Sequence, residues 1–219
     1  MLEGFKINCF PLNRSIRISI ALPRDYNNTS RFYPVIYFLD GQNLYKDEDS
    51  YRGHALELEA CIEALSKEGK DAIFIGIAAA SNPERREQEY GNTQLADFII
   101  SSIHPYLASR YRMNSYIYSF ACSKACLTAI TLNQNELFKG MILISPLLPL
   151  ETISSLSIEN NNLIYIYTGN QEMNKKCLET ATALANQFSN AKLVIDDNDE
   201  HNEQAWKDKI FDALNYLVL

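Results

Sequence analysis

The stretch Ser115-Tyr-Ile-Tyr-Ser-Phe-Ala-Cys-Ser-Lys-Ala-Cys126 decides how the chain is interpreted. Its apolar pattern predicts a strand over residues 115–119, and the residues from 122 to 133 have the pattern of a helix. The connection between the two is therefore a tight turn at the end of a buried strand. The side chain that this turn presents determines which chemistry the chain can perform.

The same alternation of short apolar runs and longer amphipathic segments continues on both sides of this stretch. Strands are predicted at residues 5–10, 15–22, 34–39, 72–77, 115–119, 141–145, 163–168 and 191–195, and helices at 55–66, 94–111, 122–133, 173–188 and 203–217. This order predicts one α/β domain over residues 1–219, with a mostly parallel sheet covered by helices on both faces. The segment from 146 to 162 is too short for a cap domain, so we expect an open, shallow site.

Composition and charge narrow the range of partners. The 219 residues are 47% hydrophobic and 21% charged, which is ordinary for a globular domain. The net charge of −7 and the pI of about 5.0 argue against nucleic acid or an anionic membrane as a partner, because phosphate binding needs a basic face. A homo-oligomer is left open.

Targeting signals and cofactor motifs add little. The sequence has no apolar run of transmembrane length and no visible signal peptide. Its five cysteines are irregularly spaced, which favours reduced thiols in a cytoplasmic protein. No zinc-spaced cluster, P-loop or dinucleotide-binding turn is visible, so we expect neither a metal nor an organic cofactor.

Several short strings outside this turn stand in a telling order. They are Phe38-Leu-Asp-Gly-Gln-Asn-Leu-Tyr45, Arg86-Glu-Gln-Glu-Tyr90, Ala96-Asp-Phe98, His104-Pro-Tyr106, Ser109-Arg-Tyr111, Ile144-Ser-Pro146, Tyr167-Thr-Gly-Asn-Gln-Glu172 and His201-Asn-Glu-Gln-Ala-Trp206. Taken together, they resemble the esterase family of the α/β-hydrolase superfamily, which includes enterobactin esterases and S-formylglutathione hydrolases. The resemblance covers roughly residues 34–217. It implies an α/β-hydrolase fold with a sheet of about eight strands, and it implies carboxylic-ester hydrolysis with a small ester or acyl ligand.

The turn that should carry the nucleophile departs from the family pattern, which reads like Gly-x-Ser-x-Gly-Gly. Counting back from Glu136-Leu-Phe138, which resembles the family's entry to the next strand, the nucleophile position falls on Ala121. Both flanking glycines are also replaced. Because a methyl group cannot attack a carbonyl, this alignment predicts that the serine mechanism is lost or weak.

A second alignment of the turn remains open. The turn crowds the residues two before and two after its nucleophile, so both must be small. Ser123 meets this condition with Ala121 and Ala125, whereas Cys122 would have two bulky neighbours and Ser119 lies too early for the strand end. Ala121 is our leading interpretation, and Ser123 in a shifted turn is the alternative nucleophile.

The resemblance also implies the partners of the nucleophile. His201 follows the last strand in a polar loop and is the candidate base, and Glu172, after the seventh strand, is the candidate orienting acid. The backbone N–H groups of Gln42 and Cys122 are the candidate oxyanion donors.

Arg86 and Glu89 resemble a family pair near the pocket mouth and are candidate binding residues, although an ion pair that only holds the loop is an equal alternative. Three functions follow from these residues. The first is an esterase-like protein with lost or weak activity, the second is a non-catalytic binding or regulatory protein, and the third is an active esterase that uses Ser123. Whether the chain is an enzyme, and which ester it takes, stays open at this level.

Overall fold

A computed structural model describes residues 2–158, 162–197 and 200–218. Within these ranges, eight strands form one sheet in the order β1-β2-β4-β3-β5-β6-β7-β8. Strand β2 runs antiparallel to β1 and β4, and all other neighbours are parallel. The predicted mostly parallel sheet is confirmed, and β1 and β2 add an antiparallel hairpin at one edge.

The strands are β1 (Leu2–Cys9), β2 (Arg14–Ala21), β3 (Tyr33–Leu39), β4 (Ile73–Ile77), β5 (Met113–Cys122), β6 (Gly140–Ile144), β7 (Leu163–Gly169) and β8 (Ala191–Asp196). The helices are α1 (Leu58–Lys67), α2 (Pro83–Tyr90), α3 (Gln94–Phe98), α4 (His104–Ala108), α5 (Cys126–Asn133), α6 (Leu150–Ile153), α7 (Lys176–Gln187) and α8 (Glu203–Leu217).

Two hydrophobic cores lie on the two faces of the sheet. The central strands are continuous apolar runs because both of their faces are covered. Helices α1 and α8 pack together over one face, around side chains such as Leu65 and Leu214. Helices α3, α5 and α7 cover the other face, around side chains such as Leu95 and Ala129. Helices on both faces, as predicted, leave the carboxyl ends of the parallel strands free to hold a site.

The structure differs from the predicted elements in several regions outside the turn. Helix α6 was not predicted, and α7 begins three residues later than predicted, after a run of residues with positive φ. The predicted helix 94–111 is divided into α3 and α4 by a π-helical segment, Ile99–Ile103. The widening lies just before Pro105, whose ring clashes with a regular preceding turn and whose missing N–H cannot complete it. Helix α2 was not predicted, although Asn82 caps its first turn by accepting from the Arg85 N–H, and Pro83 follows it.

None of the described helices is long and apolar enough to cross a membrane.

Candidate active site

The turn between β5 and α5 places Ser123 where a nucleophile would be displayed. Strand β5 continues through Ala121, which pairs with Leu143 of β6, and ends at Cys122. Ser123 then takes a left-handed backbone with φ of +57°, and a short 3-10 turn leads into α5. A non-glycine residue in this region is strained, as the nucleophile of a strand–turn–helix elbow is. The small side chains two residues away, Ala121 and Ala125, are fully buried.

This geometry corrects the leading interpretation of the turn. We expected the strand to end at residue 119 and Ala121 to occupy the elbow, whereas β5 ends three residues later, at Cys122, and carries Ala121 inside the sheet. The alanine side chain is 0% exposed and packs in the core. Ala121 therefore takes the position of the first small residue of the motif, and Ser123 takes the position between the two small residues.

Three of the predicted residues meet in one chain of hydrogen bonds. The Ser123 Oγ lies 2.9 Å from His201 Nε2, and His201 Nδ1 lies 2.8 Å from Glu172 Oε2. Because a carboxylate only accepts, Nδ1–H donates to Glu172, which leaves Nε2 free to accept from the serine hydroxyl. This is the order of contacts in a Ser–His–acid triad, where the acid selects the histidine tautomer.

A second set of contacts holds Glu172 in place. The other carboxylate oxygen, Oε1, accepts from the Ser145 hydroxyl at 2.8 Å and from the Gly169 N–H at 2.9 Å. Ser145 Oγ itself accepts from Trp206 Nε1 at 2.9 Å. The Trp206 and His201 rings also pack edge to face, with centroids 5.0 Å apart. Acid and base are thus oriented by one continuous network, which limits the rotation of both side chains.

Cys177 lies beside this network, with its Sγ 3.4 Å from His201 Nδ1. Burial, with a further contribution from the charge of Glu172, raises the pKa of the Cys177 thiol to about 12, so the thiol stays protonated at neutral pH. Among the described residues, Glu172, Cys177 and His201 form the only cluster of metal-binding side chains, with donor atoms within 4.8 Å of one another. Their hydrogen bonds already explain this proximity.

The turn after β3 forms the opposite wall of the site. Asp40 has a left-handed backbone with φ of +56°, and its carboxylate binds the Arg86 guanidinium through two hydrogen bonds. The guanidinium also lies over the Tyr51 and Tyr90 rings. Burial alone would lower the pKa of Arg86, but the hydrogen bond and charge of Asp40 outweigh it and raise the pKa. Arg86 is therefore a permanent cation whose charge is balanced inside the protein.

Glycine at position 41 is required by a close approach. A Cβ added to Gly41 would lie 2.5 Å from the Ile77 backbone nitrogen, because the turn rests directly on β4. Asp40 carries the positive φ of this turn, and Gly41 supplies the space for the close approach. The Gln42 side chain ties the turn down by donating to Asp40 Oδ1 and accepting from the Ala79 N–H.

Arg86 and Glu89 contact different partners in the structure. Glu89 is buried and forms two hydrogen bonds with Arg14 of β2, at 2.6 and 2.7 Å from the carboxylate oxygens. It does not line the cavity above Ser123, whereas Arg86 does. The alternative, an ion pair between Arg86 and Glu89 that holds the loop, is not among the described contacts either, because Glu89 pairs with Arg14 and holds the hairpin against α2. Its role in ligand binding finds no support in these contacts.

The cavity above the elbow is small. It has a volume of about 60 Å³ and is lined in part by the Ser123 and His201 side chains. Its remaining walls are Leu39, Asp40, Asn43, Tyr51, Arg52, Leu56, Arg86, Cys122, Glu203 and Trp206. Burial raises the pKa of Cys122, so this lining thiol is not a thiolate.

Sequence reasoning assigned no role to Ser145, Asp40, Cys177 or Glu203. Ser145 and Asp40 could have been found, because each directly follows a buried strand at the carboxyl edge of the sheet, where site residues gather. Cys177 lies in the first turn of α7, and nothing in the local pattern distinguishes it. Glu203 looks like a first-turn glutamate favoured by the helix dipole.

Comparisons with known proteins agree with this architecture. The family model described as "Putative esterase" matches residues 11–207, which is most of the chain. No curated protein matches. A solved structure of a ferulic acid esterase superposes with a TM-score of 0.77 at 13% identity, covering 100% of this chain and 98% of that one.

Two other solved structures are also similar. Enterochelin esterase from Shigella flexneri has a TM-score of 0.82 at 16% identity, and the alignment covers 99% of this chain but 57% of the enterochelin esterase. The BES protein from Bacillus cereus has a TM-score of 0.74 at 14% identity over 100% of this chain and 96% of that one. Identities this low indicate a shared fold alone. Because the family model covers most of the chain, the chain belongs to the Putative esterase family, and its mostly parallel eight-stranded sheet with helices on both faces has the α/β-hydrolase fold.

Proposed function

We propose that the chain is an active serine esterase in which Ser123 is the nucleophile, His201 the general base and Glu172 the orienting acid. The observation that carries the proposal is the continuous hydrogen-bond chain from Ser123 Oγ through His201 to Glu172, together with the left-handed backbone of Ser123. Lost or weak activity was an expectation from the Ala121 alignment. With the serine at the elbow, that reason for inactivity no longer applies.

The reaction proceeds in two half-reactions. His201 Nε2 takes the Ser123 hydroxyl proton while Oγ attacks the ester carbonyl, and the protonated imidazole then gives the proton to the departing alcohol. The resulting acyl-serine is attacked by water, whose proton His201 accepts and returns to Ser123. Glu172 keeps its charge throughout and stabilises the imidazolium that forms.

The developing oxyanion needs two backbone donors. The residue after the nucleophile supplies one of them in this fold, so the move from Ala121 to Ser123 shifts our expectation from Cys122 to Lys124. Gln42 stays the expected second donor. Support comes from the pairing of β3 with β5, which brings the turn after β3 beside the elbow.

The cavity supports a short acyl group. A volume of about 60 Å³ has room for only a few non-hydrogen atoms. Acetyl or propionyl esters should therefore be better substrates than octanoyl esters, whose chains would have to lie on the open surface.

Steady-state hydrolysis of p-nitrophenyl acetate tests the proposal. Ser123→Ala should lower kcat by at least ~10³-fold, because the covalent step is lost and only oxyanion and binding contributions remain. The matched control is the double variant Ala121→Ser/Ser123→Ala, which restores a hydroxyl at the other alignment and should stay inactive. A wild-type protein that is folded but shows no hydrolysis, or a Ser123→Ala protein with wild-type kcat, would contradict the proposal.

A further inference from the structure

One side chain in the cavity has no role in the proposed triad. Glu203 is the first residue of α8, is only 5% exposed, and lines the same cavity as Ser123 and His201. One carboxylate oxygen, Oε1, accepts from Asn43 Nδ2 at 3.0 Å. The other oxygen, Oε2, is buried and receives a hydrogen bond from no described residue.

The contact with Asn43 determines which carboxylate oxygen is left over. Asn43 Oδ1 accepts the Tyr51 N–H at 2.9 Å, so the amide must turn its nitrogen towards Glu203. Glu203 is thus held through Oε1, and Oε2 remains as a preoriented acceptor.

A carboxylate oxygen without a donor destabilises the folded state, because buried acceptors are normally hydrogen-bonded. The lining cation Arg86 does not meet this need, since its guanidinium binds both oxygens of Asp40. Arg52, at the rim, donates to the His201 backbone carbonyl. A donor that arrives with the substrate would complete the site.

We propose that Glu203 is a specificity-determining residue that binds a hydrogen-bond donor, a hydroxyl or an ammonium group, carried by the ester close to its carbonyl. The inference rests on the proposed function, because it places this donor in the cavity of the Ser123 nucleophile. Recognition by a buried carboxylate rejects an analogue that has a methyl group in place of the donor, since the acceptor is then left unpaired.

Matched esters test the inference. The acyl series consists of p-nitrophenyl propionate, glycolate and glycinate, and the alcohol series of propyl, 2-hydroxyethyl and 2-ammonioethyl acetate. Each series replaces one methyl by a hydroxyl or an ammonium of similar size. In at least one series, Glu203→Gln should lower kcat/KM for the donor ester by tenfold or more and leave the alkyl ester within about threefold. Loss with ammonium alone identifies a cationic substrate, and equal loss with hydroxyl identifies a neutral donor.

Glu200→Gln is the matched control, because it removes a charge from an exposed carboxylate next to His201 that lies outside the cavity. It should change no ratio between esters. Equal effects of Glu203→Gln on all esters of both series would overturn the inference while leaving the proposed function intact.

A binding measurement tests the role of Glu203 even if the protein hydrolyses none of these esters. Ligand-observed NMR with 3-aminopropionamide, 3-hydroxypropionamide and butyramide should show that the wild type binds at least one donor amide at least tenfold more tightly than butyramide, and that Glu203→Gln removes this preference. Absence of the preference in both assays would overturn the inference, whereas its presence without hydrolysis would sustain the inference and refute the proposed function.

Discussion

Replacing Glu172 by glutamine should inactivate the protein without unfolding it. The substituted amide has one oxygen and one nitrogen, and the structure decides where each must lie. Gly169 N–H and the Ser145 hydroxyl both donate to the position of Oε1. The amide oxygen is therefore held there, and the amide nitrogen must face His201 Nδ1, which lies 2.8 Å from the present Oε2.

This orientation reverses the histidine tautomer. An amide nitrogen donates, so Nδ1 must accept, and the imidazole proton moves to Nε2. Nε2 then donates to Ser123 Oγ and cannot take its proton. A triad held in the wrong tautomer loses about 10⁴-fold in kcat, which corresponds to about 5.5 kcal/mol of transition-state stabilisation at 1.36 kcal/mol per tenfold.

The assay is hydrolysis of p-nitrophenyl acetate at pH 7.5, with the thermal unfolding midpoint measured alongside. Glu179→Gln is the control, since it neutralises an exposed carboxylate on the neighbouring helix α7. We expect the control to keep its activity and Glu172→Gln to fall by about 10⁴-fold while its unfolding midpoint stays within a few degrees of wild type. A kcat within tenfold of wild type in folded Glu172→Gln would refute the tautomer argument.

Four further predictions concern the surroundings of the triad. Ser145→Gly removes the hydroxyl but suits the positive φ, so kcat should fall about tenfold through loss of a charge-assisted hydrogen bond, and an unchanged kcat would contradict the network. Asp40→Asn leaves the Arg86 cation unpaired in a largely buried site, so urea unfolding should show a loss of about 3 kcal/mol, whereas no loss would mean that the pair contributes nothing. Burial lowers the pKa of His104, so the unfolded chain binds more protons below about pH 6.5 and stability should fall as the pH drops from 7 to 5; His104→Gln should reduce this fall, and an equal fall in both proteins would refute it. Cys177, with its raised pKa of about 12, should resist iodoacetamide in the native protein at pH 8 and react after unfolding in urea, and rapid native modification would contradict its buried, protonated state.

The periodicity of hydrophobic residues was sufficient to predict the order of the main strands and helices. Buried strands are continuous apolar runs and helices repeat every three to four residues, so the order of elements and the parallel sheet follow from local pattern. That His201 and Glu172 lie together could be predicted because each follows a strand at the carboxyl edge of the sheet, where the topology brings distant residues together.

The elbow alignment could not be obtained in the same way. Ser119, Ala121 and Ser123 are all small, and the local pattern does not state where β5 ends. The decision comes from pairing with β6, which extends the strand to Cys122 and carries Ala121 into the core opposite Leu143. A register shift of two residues keeps every side chain on the same face of the strand, so the hydrophobic pattern alone does not distinguish the two alignments.

The buried acceptor on Glu203 could not be predicted from the sequence either, because it depends on contacts between residues far apart in the chain. Asn43 and Glu203 are separated by 160 positions and meet only once α8 packs beside the turn after β3. Local pattern gives their secondary structure and not their partners.

The central claim is that Ser123 is the nucleophile, and covalent labelling tests it most directly. Intact-mass analysis after treatment with a fluorophosphonate should show one adduct per chain, peptide mapping should place it on Ser123, and Ser123→Ala should remain unlabelled. Folded wild-type protein that forms no adduct, or an adduct on any other residue, would contradict the account.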